Sequence, residues 1–248
     1  MRKFISVLFM CLCLVFTGIG FYKYYPVMVI QEEVDALKEG RVENDSEDPL
    51  QRHIDFDALF LVNPDLIAWI YIPDTSIDYP IFKGETDTEY LWKDINKRYN
   101  ELGSLFVFAD EDKDFEYANP YIFGHTMPAF INFGELSMYG RDTEYRTTKN
   151  KAYIYTPKKN FEVQLYSAFS CDFRDEIFTH NMSVGTEAYH ERLSNYKNRN
   201  AFVDIPEVDS DLNWDNVRTF TLSTCDGTVG TTRRFVTHWI NTRTKYNL

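Results

Sequence analysis

Nineteen consecutive residues without a charge, Phe4 to Tyr22, follow Arg2 and Lys3 at the start of the chain. A run of about 20 apolar residues is what an α-helix needs to cross the hydrocarbon core of a bilayer, where every backbone group has to be satisfied internally. Cations ahead of such a span favour a cytoplasmic N-terminus and an exported remainder. A cleaved signal peptide competes with this reading, but no Ala-x-Ala-like site follows the run. Lipoprotein processing at Cys11 or Cys13 is opposed by the bulky Leu8-Phe9-Met10 in front of them. Residues 1–25 therefore read as a cytoplasmic tip and an uncleaved signal anchor. The membrane becomes the first expected partner, with the rest of the chain on the extracellular face.

What is exported has to fold around its own core. A chain of 248 residues, 44% hydrophobic and 17% aromatic, has enough apolar side chains for one domain and rules out global disorder. The net charge of −12 would repel phosphates, so no nucleic-acid partner is expected. Residues 26–53 carry eight carboxylates between Glu32 and Asp48 and read as a solvated spacer, with helix starting around Gln31 to Lys38. Residues 54–248 form the domain itself. Its two cysteines, Cys171 and Cys225, are able to pair in an oxidising compartment. Cys171, however, closes the alternating run Phe161 to Ser170 and reads as an inert core thiol.

Val217 to Thr224 is rich in β-branched and aromatic residues and reads as a strand that ends at Cys225. A short loop through Gly227 and Gly230 leads to a second strand rising from Arg233. Such a hairpin brings a guanidinium near the thiol, and a cation favours the nucleophilic thiolate. Asp226, beside the thiol, acts in the opposite sense. The candidate acid–base group is His125, delivered by a strand over Asn119 to Gly124. The rivals are His53, His180, His190 and His238, and His238 lies four residues beyond Arg234 on the same strand. Arg233 competes with Arg234, since strand neighbours point to opposite faces. Ser223 and Thr224 are candidate substrate contacts.

Elsewhere the spacing predicts a helix over Phe56 to Val62, stopped by Asn63-Pro64, and strands over Ile67 to Ile72 and Ile77 to Phe82. A short helix over Thr86 to Trp92, a strand over Gly103 to Ala109 and a helical turn or two over Phe133 to Tyr139 follow. Ala152 to Thr156 and Phe161 to Ser170 form a hairpin across Pro157-Lys158-Lys159-Asn160. About eight short strands with few helices point to a closed or nearly closed β-barrel. The long connection from Cys171 to Val217, with a helix over Glu187 to Tyr196, suggests a functional segment. Asp110 to Asp114 has the composition of a calcium loop without its glycine or closing glutamate, so no metal and no cofactor are expected.

Phe123-Gly124-His125-Thr126-Met127, Thr221-Leu222-Ser223-Thr224-Cys225 and Arg234-Phe235-Val236, in this order along the chain, resemble the sortases, the cysteine transpeptidases of Gram-positive bacteria. The likeness is to class B. It runs from about Phe56 to Ile240 and takes in Asn63-Pro64-Asp65, Trp69 to Thr75, Ile77 to Ile81 and Gly103 to Phe106. The resemblance implies an eight-stranded barrel with N-terminal helices, and a wall of the substrate groove built by the long connection. It implies that Cys225 attacks the carbonyl after the Thr of a sorting pentapeptide, NPQTN-like or (S/P/L)PxTG-like, carried by a surface protein. His125 would act as acid and base, Arg234 as the oxyanion donor, and an amino group of a peptidoglycan precursor as the acceptor. Trp92 departs from the family, whose members often carry a polar residue there. A cysteine protease that only hydrolyses, or a catalytically silent peptide-binding module, would share most of these features.

Overall fold

The computed structural model describes residues 2–43, 47–126, 131–208, 212–225 and 232–247. Its alternating runs close into an eight-stranded barrel. The strands are β1 (Leu66–Tyr71), β2 (Asp78–Phe82), β3 (Leu105–Phe106), β4 (Tyr121–Phe123), β5 (Lys151–Tyr155), β6 (Lys159–Asp172), β7 (Thr219–Cys225) and β8 (Arg233–Tyr246). Around the wall they run β1-β2-β3-β4-β7-β8-β6-β5. Neighbours are antiparallel except β2 with β3 and β4 with β7, which are parallel. A parallel neighbour needs a long crossover, and between β4 and β7 the chain builds β5, β6 and α4 (Glu187–Asn198). Large aromatics fill the core, among them the fully buried Trp69, Trp239, Phe82 and Phe161.

The long strands and α2 (Phe56–Val62) fall where the periodicity puts them, and the short elements do not. Only Leu105–Phe106 of the expected Gly103 to Ala109 strand is in the ladder. The helix expected over Thr86 to Trp92 is a single 3₁₀ turn at Glu89–Leu91, whereas the helical turn or two expected over Phe133 to Tyr139 forms as a six-residue 3₁₀ helix at Glu135–Gly140. One helix was not expected. α3 (Thr143–Thr148) has three threonines and no apolar repeat, and is started by Asp142, which accepts from the Tyr145 amide at 3.0 Å. The glycine loop with Asp226, Gly227 and Gly230, and Met127, lie outside the described residues.

α1 (Arg2–Lys38) continues well past the apolar run. Among the described residues it is the one helix that is long and apolar enough, by length and composition, to cross a membrane. Its last turns differ from the expected free spacer. Ile30, Val34 and Leu37 share one helical face, and each is 5% exposed or less against the barrel. Tyr79 of β2 donates its hydroxyl to Gln31 at 3.2 Å, and Lys38 reaches Asp78 at 3.2 Å. Of the carboxylates that suggested a spacer, Glu32, Glu33 and Asp35 belong to the other faces of this helix.

Asp78 ties these elements together. It accepts two hydrogen bonds from Arg52, at 2.9 and 3.0 Å, and one from the Trp69 indole at 2.6 Å. Arg52 is itself buried, with its guanidinium 4.7 Å from the Tyr71 ring centroid and 5.9 Å from that of Tyr155. Burial alone would raise the Asp78 pKa, but the Arg52 bonds and charge, with the Lys38 charge, outweigh it and hold the carboxyl below its usual 3.8. A depressed folded-state pKa stabilises above the unfolded value, near 3.9, and that stabilisation is lost as pH falls through the folded value. Asp78→Asn leaves the Arg52 charge buried and unpaired, and we expect it to cost about 3–5 kcal/mol at pH 7. Thermal unfolding in detergent micelles checks this. The gap between the variant and the unaltered chain should narrow as pH falls from about 4, the unfolded value, through the depressed folded-state value, where the unaltered carboxyl takes up its proton.

Candidate active site

The parallel pairing of β4 with β7 sets the site. Tyr121, Ile122 and Phe123 lie opposite Thr221, Leu222 and Ser223, so both strands run to the same rim of the barrel. The ladder continues one residue further, where the Gly124 amide donates to the Ser223 carbonyl at 3.1 Å. Two residues beyond the Phe123–Ser223 pair come His125 on one strand and Cys225 on the other. On the far side of β7, the antiparallel ladder places Cys225 opposite Arg234. His125, Cys225 and Arg234 thus occupy one row across three neighbouring strands, which in a sheet are about 4.8 Å apart.

Backbone contacts fix the histidine. Its Nε2–H donates to the Leu91 carbonyl at 2.9 Å, and its ring lies 5.8 Å from that of Trp92, which is 45% exposed. A carbonyl only accepts, so this bond assigns the ring proton to Nε2. Gly103 packs directly behind that carbonyl. Its φ is +57°, and a Cβ there would sit 2.6 Å from the Leu91 oxygen. Gly124 is required by space instead, since a Cβ would fall 2.4 Å from Leu105 Cδ2 and 2.8 Å from the Phe133 ring. Thr126 and Thr224 clamp the ends of β4 and β7 through a hydroxyl pair at 2.6 Å.

Beside the row lies a cavity of about 550 Å³. Leu91, Phe106, Phe108, Phe123 and Phe173 give it an apolar wall, and His125, Ser223, Thr224 and Arg234 face it from the rim. The Phe108 ring meets Phe123 edge-on at 4.8 Å and stacks on His180 at 4.0 Å, and His180 donates Nε2–H to Asp110 at 2.7 Å. Arg234 lies 5.1 Å from the Phe173 ring centroid, on the long connection. An apolar slot with a guanidinium, a hydroxyl and an imidazole at one end suits an extended peptide with one reactive carbonyl.

No protein-family model matches the chain. Sortase B of Staphylococcus aureus is 28% identical over 192 residues, covering 75% of each chain. A Streptococcus pyogenes class B sortase involved in pilus biogenesis is 27% identical with a TM-score of 0.62, covering 75% of this chain and 97% of that one. Sortase B from B. anthracis superposes with a TM-score of 0.72 at 22% identity, over 90% of this chain and 99% of the other. In sequence and in fold the chain is similar to the class B sortases. Cysteine transpeptidation is the general activity of that family.

The structure places the expected site residues differently from one another. Arg234 faces the cavity and Arg233 does not line it. Ser223 lines it with a hydroxyl that is buried and has no hydrogen-bond partner among the described residues, whereas Thr224 is already engaged by Thr126. His238 is fully buried, bonded through Nδ1 to Thr221 at 2.8 Å and stacked on Tyr196 at 3.7 Å. Burial holds it well below the usual imidazole pKa, so it is a neutral wall residue. His53 is exposed at a different cavity, and His190 faces Asp215 at 3.9 Å. Cys171 also pairs with Arg234, from the other side of β8, which puts it two strand spacings from Cys225. About 10 Å between Cα atoms is too far for a disulfide. Burial pushes the Cys171 thiol up to about 12, in keeping with an inert core position. Among the described residues no group of three or more His, Cys, Asp or Glu is placed to hold a metal.

Sequence reasoning missed the aromatic slot and the Leu91 carbonyl. The i, i+2 spacing of Phe106 and Phe108 was a signal for one apolar face, but nothing in the sequence brings Phe173 to it. Gly103→Ala should force the Leu91 carbonyl to move and cost about 1–3 kcal/mol of backbone strain. Thermal unfolding measures that cost. A shift of the His125 ring resonances should accompany it, and a change in stability alone would show that Gly103 does not position the imidazole.

Proposed function

We propose that this protein is a membrane-anchored transpeptidase that cleaves a C-terminal sorting motif after Thr and transfers the carried protein to an amino group of peptidoglycan. The observation that carries the reading is the row His125–Cys225–Arg234 at the rim of an apolar slot. The thiolate of Cys225, favoured by the guanidinium opposite, attacks the carbonyl carbon after Thr. Negative charge develops on the carbonyl oxygen, and Arg234 donates to it. The C–N bond then breaks, and the departing nitrogen takes from His125 the proton that the Cys225 thiol had given to its Nδ1, leaving a thioester. The incoming amine attacks that thioester and gives a proton to His125. The C–S bond breaks, the thiolate returns, and an amide is formed. With the Nε2–H held by Leu91, Nδ1 is the atom through which these protons pass.

The slot would take the apolar part of an NPQTN-like or (S/P/L)PxTG-like segment, with the unpartnered Ser223 hydroxyl available to it. α1 would cross the membrane once with the barrel outside, since Arg2 and Lys3 precede the span. The aromatics Phe21, Tyr22, Tyr24 and Tyr25 would lie at the outer interface. On this reading residues 1–25 are the tip and anchor, 26–53 the connection and 54–248 the catalytic domain.

Full-length protein in micelles, given quenched-fluorescent peptides of these motif types with and without an amine, tests the proposal. Cleavage of one motif with diversion into an amine adduct is expected, and Cys225→Ala should reduce it to background. His125→Ala should lose about 10²–10⁴-fold and Arg234→Ala about 10²–10³-fold. His238→Ala should lower the melting temperature while the remaining folded enzyme keeps its turnover. Cleavage that never yields an adduct would indicate a protease. A folded protein indistinguishable from Cys225→Ala would indicate a peptide-binding module.

A further inference from the structure

The segment that holds His125 is itself held from behind. Leu91, whose carbonyl accepts the imidazole Nε2–H, is flanked by two bonds from one residue. The Ser104 amide donates to the Tyr90 carbonyl and the Ser104 hydroxyl to the Lys93 carbonyl, both at 2.9 Å. Leu102 and Gly103, just before Ser104, are fixed in turn by Asn132. Its Nδ2 donates to the Leu102 carbonyl at 2.8 Å and to the Gly103 carbonyl at 3.3 Å. Asn132 also forms an isolated antiparallel bridge with Thr126, the residue after His125. One buried asparagine thus grips both the chain that carries the histidine and the loop that carries its acceptor.

Asn132 is 3% exposed and has a φ of +52°, a left-handed conformation that asparagine adopts more readily than most side chains. Its backbone amide hydrogen-bonds to the Tyr79 hydroxyl, and that hydroxyl donates to Gln31 of α1 at 3.2 Å. Ile30 and Val34 of α1 line one narrow crevice together with Tyr79, Gly103 and Asn132. A second tie runs beside it, where Arg98 bonds Asp94 at 2.9 Å and also reaches Glu33 of α1. A continuous chain of contacts therefore leads from the last turns of α1, through Tyr79 and Asn132, to the imidazole.

We propose that Asn132 is a positioning residue for His125, and that docking of α1 on the barrel sets it, so that the anchor helix is part of the catalytic frame as well as a tether. This coupling rests on the transpeptidase reading, in which Nδ1 of His125 has to meet the scissile nitrogen. A misplacement of about 1 Å at a reacting group costs on the order of 100-fold in rate. The packing of a helix 30 residues into the chain then reaches the chemistry without touching substrate, because none of Ile30, Val34, Tyr79 or Asn132 lines the peptide slot.

Two variants of the full-length protein in micelles test this from opposite ends. Asn132→Gly keeps the left-handed backbone and removes both side-chain bonds, while Val34→Asp puts a charge on the buried face of α1 and leaves Asn132 in place. Each should lower kcat by about 10–100-fold and leave the KM for the sorting peptide within about twofold of the unaltered chain. The two together should lose no more than the worse single variant, since both act through one chain of contacts. At alkaline pH, where free imidazole is neutral, the ¹⁵N shifts of His125 should move in both variants from the Nε2–H tautomer toward a mixture. Tyr155→Phe, which gives up a hydroxyl bond to the Pro49 carbonyl at 2.8 Å on β5, is the stability control. It should lower the melting temperature and move neither kcat nor the tautomer. The coupling is overturned if either test variant melts lower yet keeps the turnover and tautomer of the unaltered chain, or if Tyr155→Phe changes them equally. Failure of the transpeptidase reading looks different. The unaltered chain would then cleave no sorting peptide, while the ¹⁵N shifts would still show whether Asn132 and α1 hold the imidazole.

Discussion

The pairing of β4 with β7 is the constraint on which the candidate site depends. Three residue pairs in parallel register carry both chains to the same rim, and the antiparallel hairpin partner β8 lies on the other side of β7. An imidazole, a thiol position and a guanidinium are thereby set side by side by main-chain hydrogen bonds, without relying on long flexible side chains to find one another. Everything inserted between β4 and β7 serves that juxtaposition. β5 and β6 complete the barrel, and the connection after β6 returns Phe173 to the slot and α4 to the outer wall. The buried Tyr189, with its hydroxyl bonded to the Ala118 carbonyl at 2.9 Å, seats that helix next to the segment leading into β4.

The two glycines near His125 show how sequence and chemistry meet. Gly124 is small because Leu105 and Phe133 leave no room, and Gly103 is glycine because both its φ and the Leu91 carbonyl demand it. The same carbonyl holds the imidazole. A packing requirement of the barrel rim and the orientation of the proposed acid–base group are therefore one geometric fact.

Much of this was legible in the sequence. The long strands β6 and β8 declare themselves by alternation, the apolar part of α1 by its length, α2 by its spacing, and Cys225, His125 and Arg234 stand out as candidates by the residues around them. Hidden features share a physical cause, which is that tertiary pairing created them. A two-residue strand such as β3 has too little pattern to read. The register that aligns His125 with Cys225 depends on a partner 100 residues away, as the Phe123–Ser223 pairing shows. The buried face of α1 was present as the spacing of Ile30, Val34 and Leu37, but the carboxylates around it drew the reading toward a spacer. The identity of His238 as a wall residue could be settled only by its burial against Tyr196.

The account stands most directly on Cys225 as the atom that takes the acyl group. Full-length protein mixed with a cleavable sorting peptide and no amine, then quenched in acid and measured by intact-mass and tandem mass spectrometry, reads this directly. The account predicts an added acyl mass located on Cys225, which disappears when an amine is supplied as the peptide–amine product appears. Cleavage with the acyl group found on another residue, or with no adduct and unchanged turnover in Cys225→Ala, would contradict it.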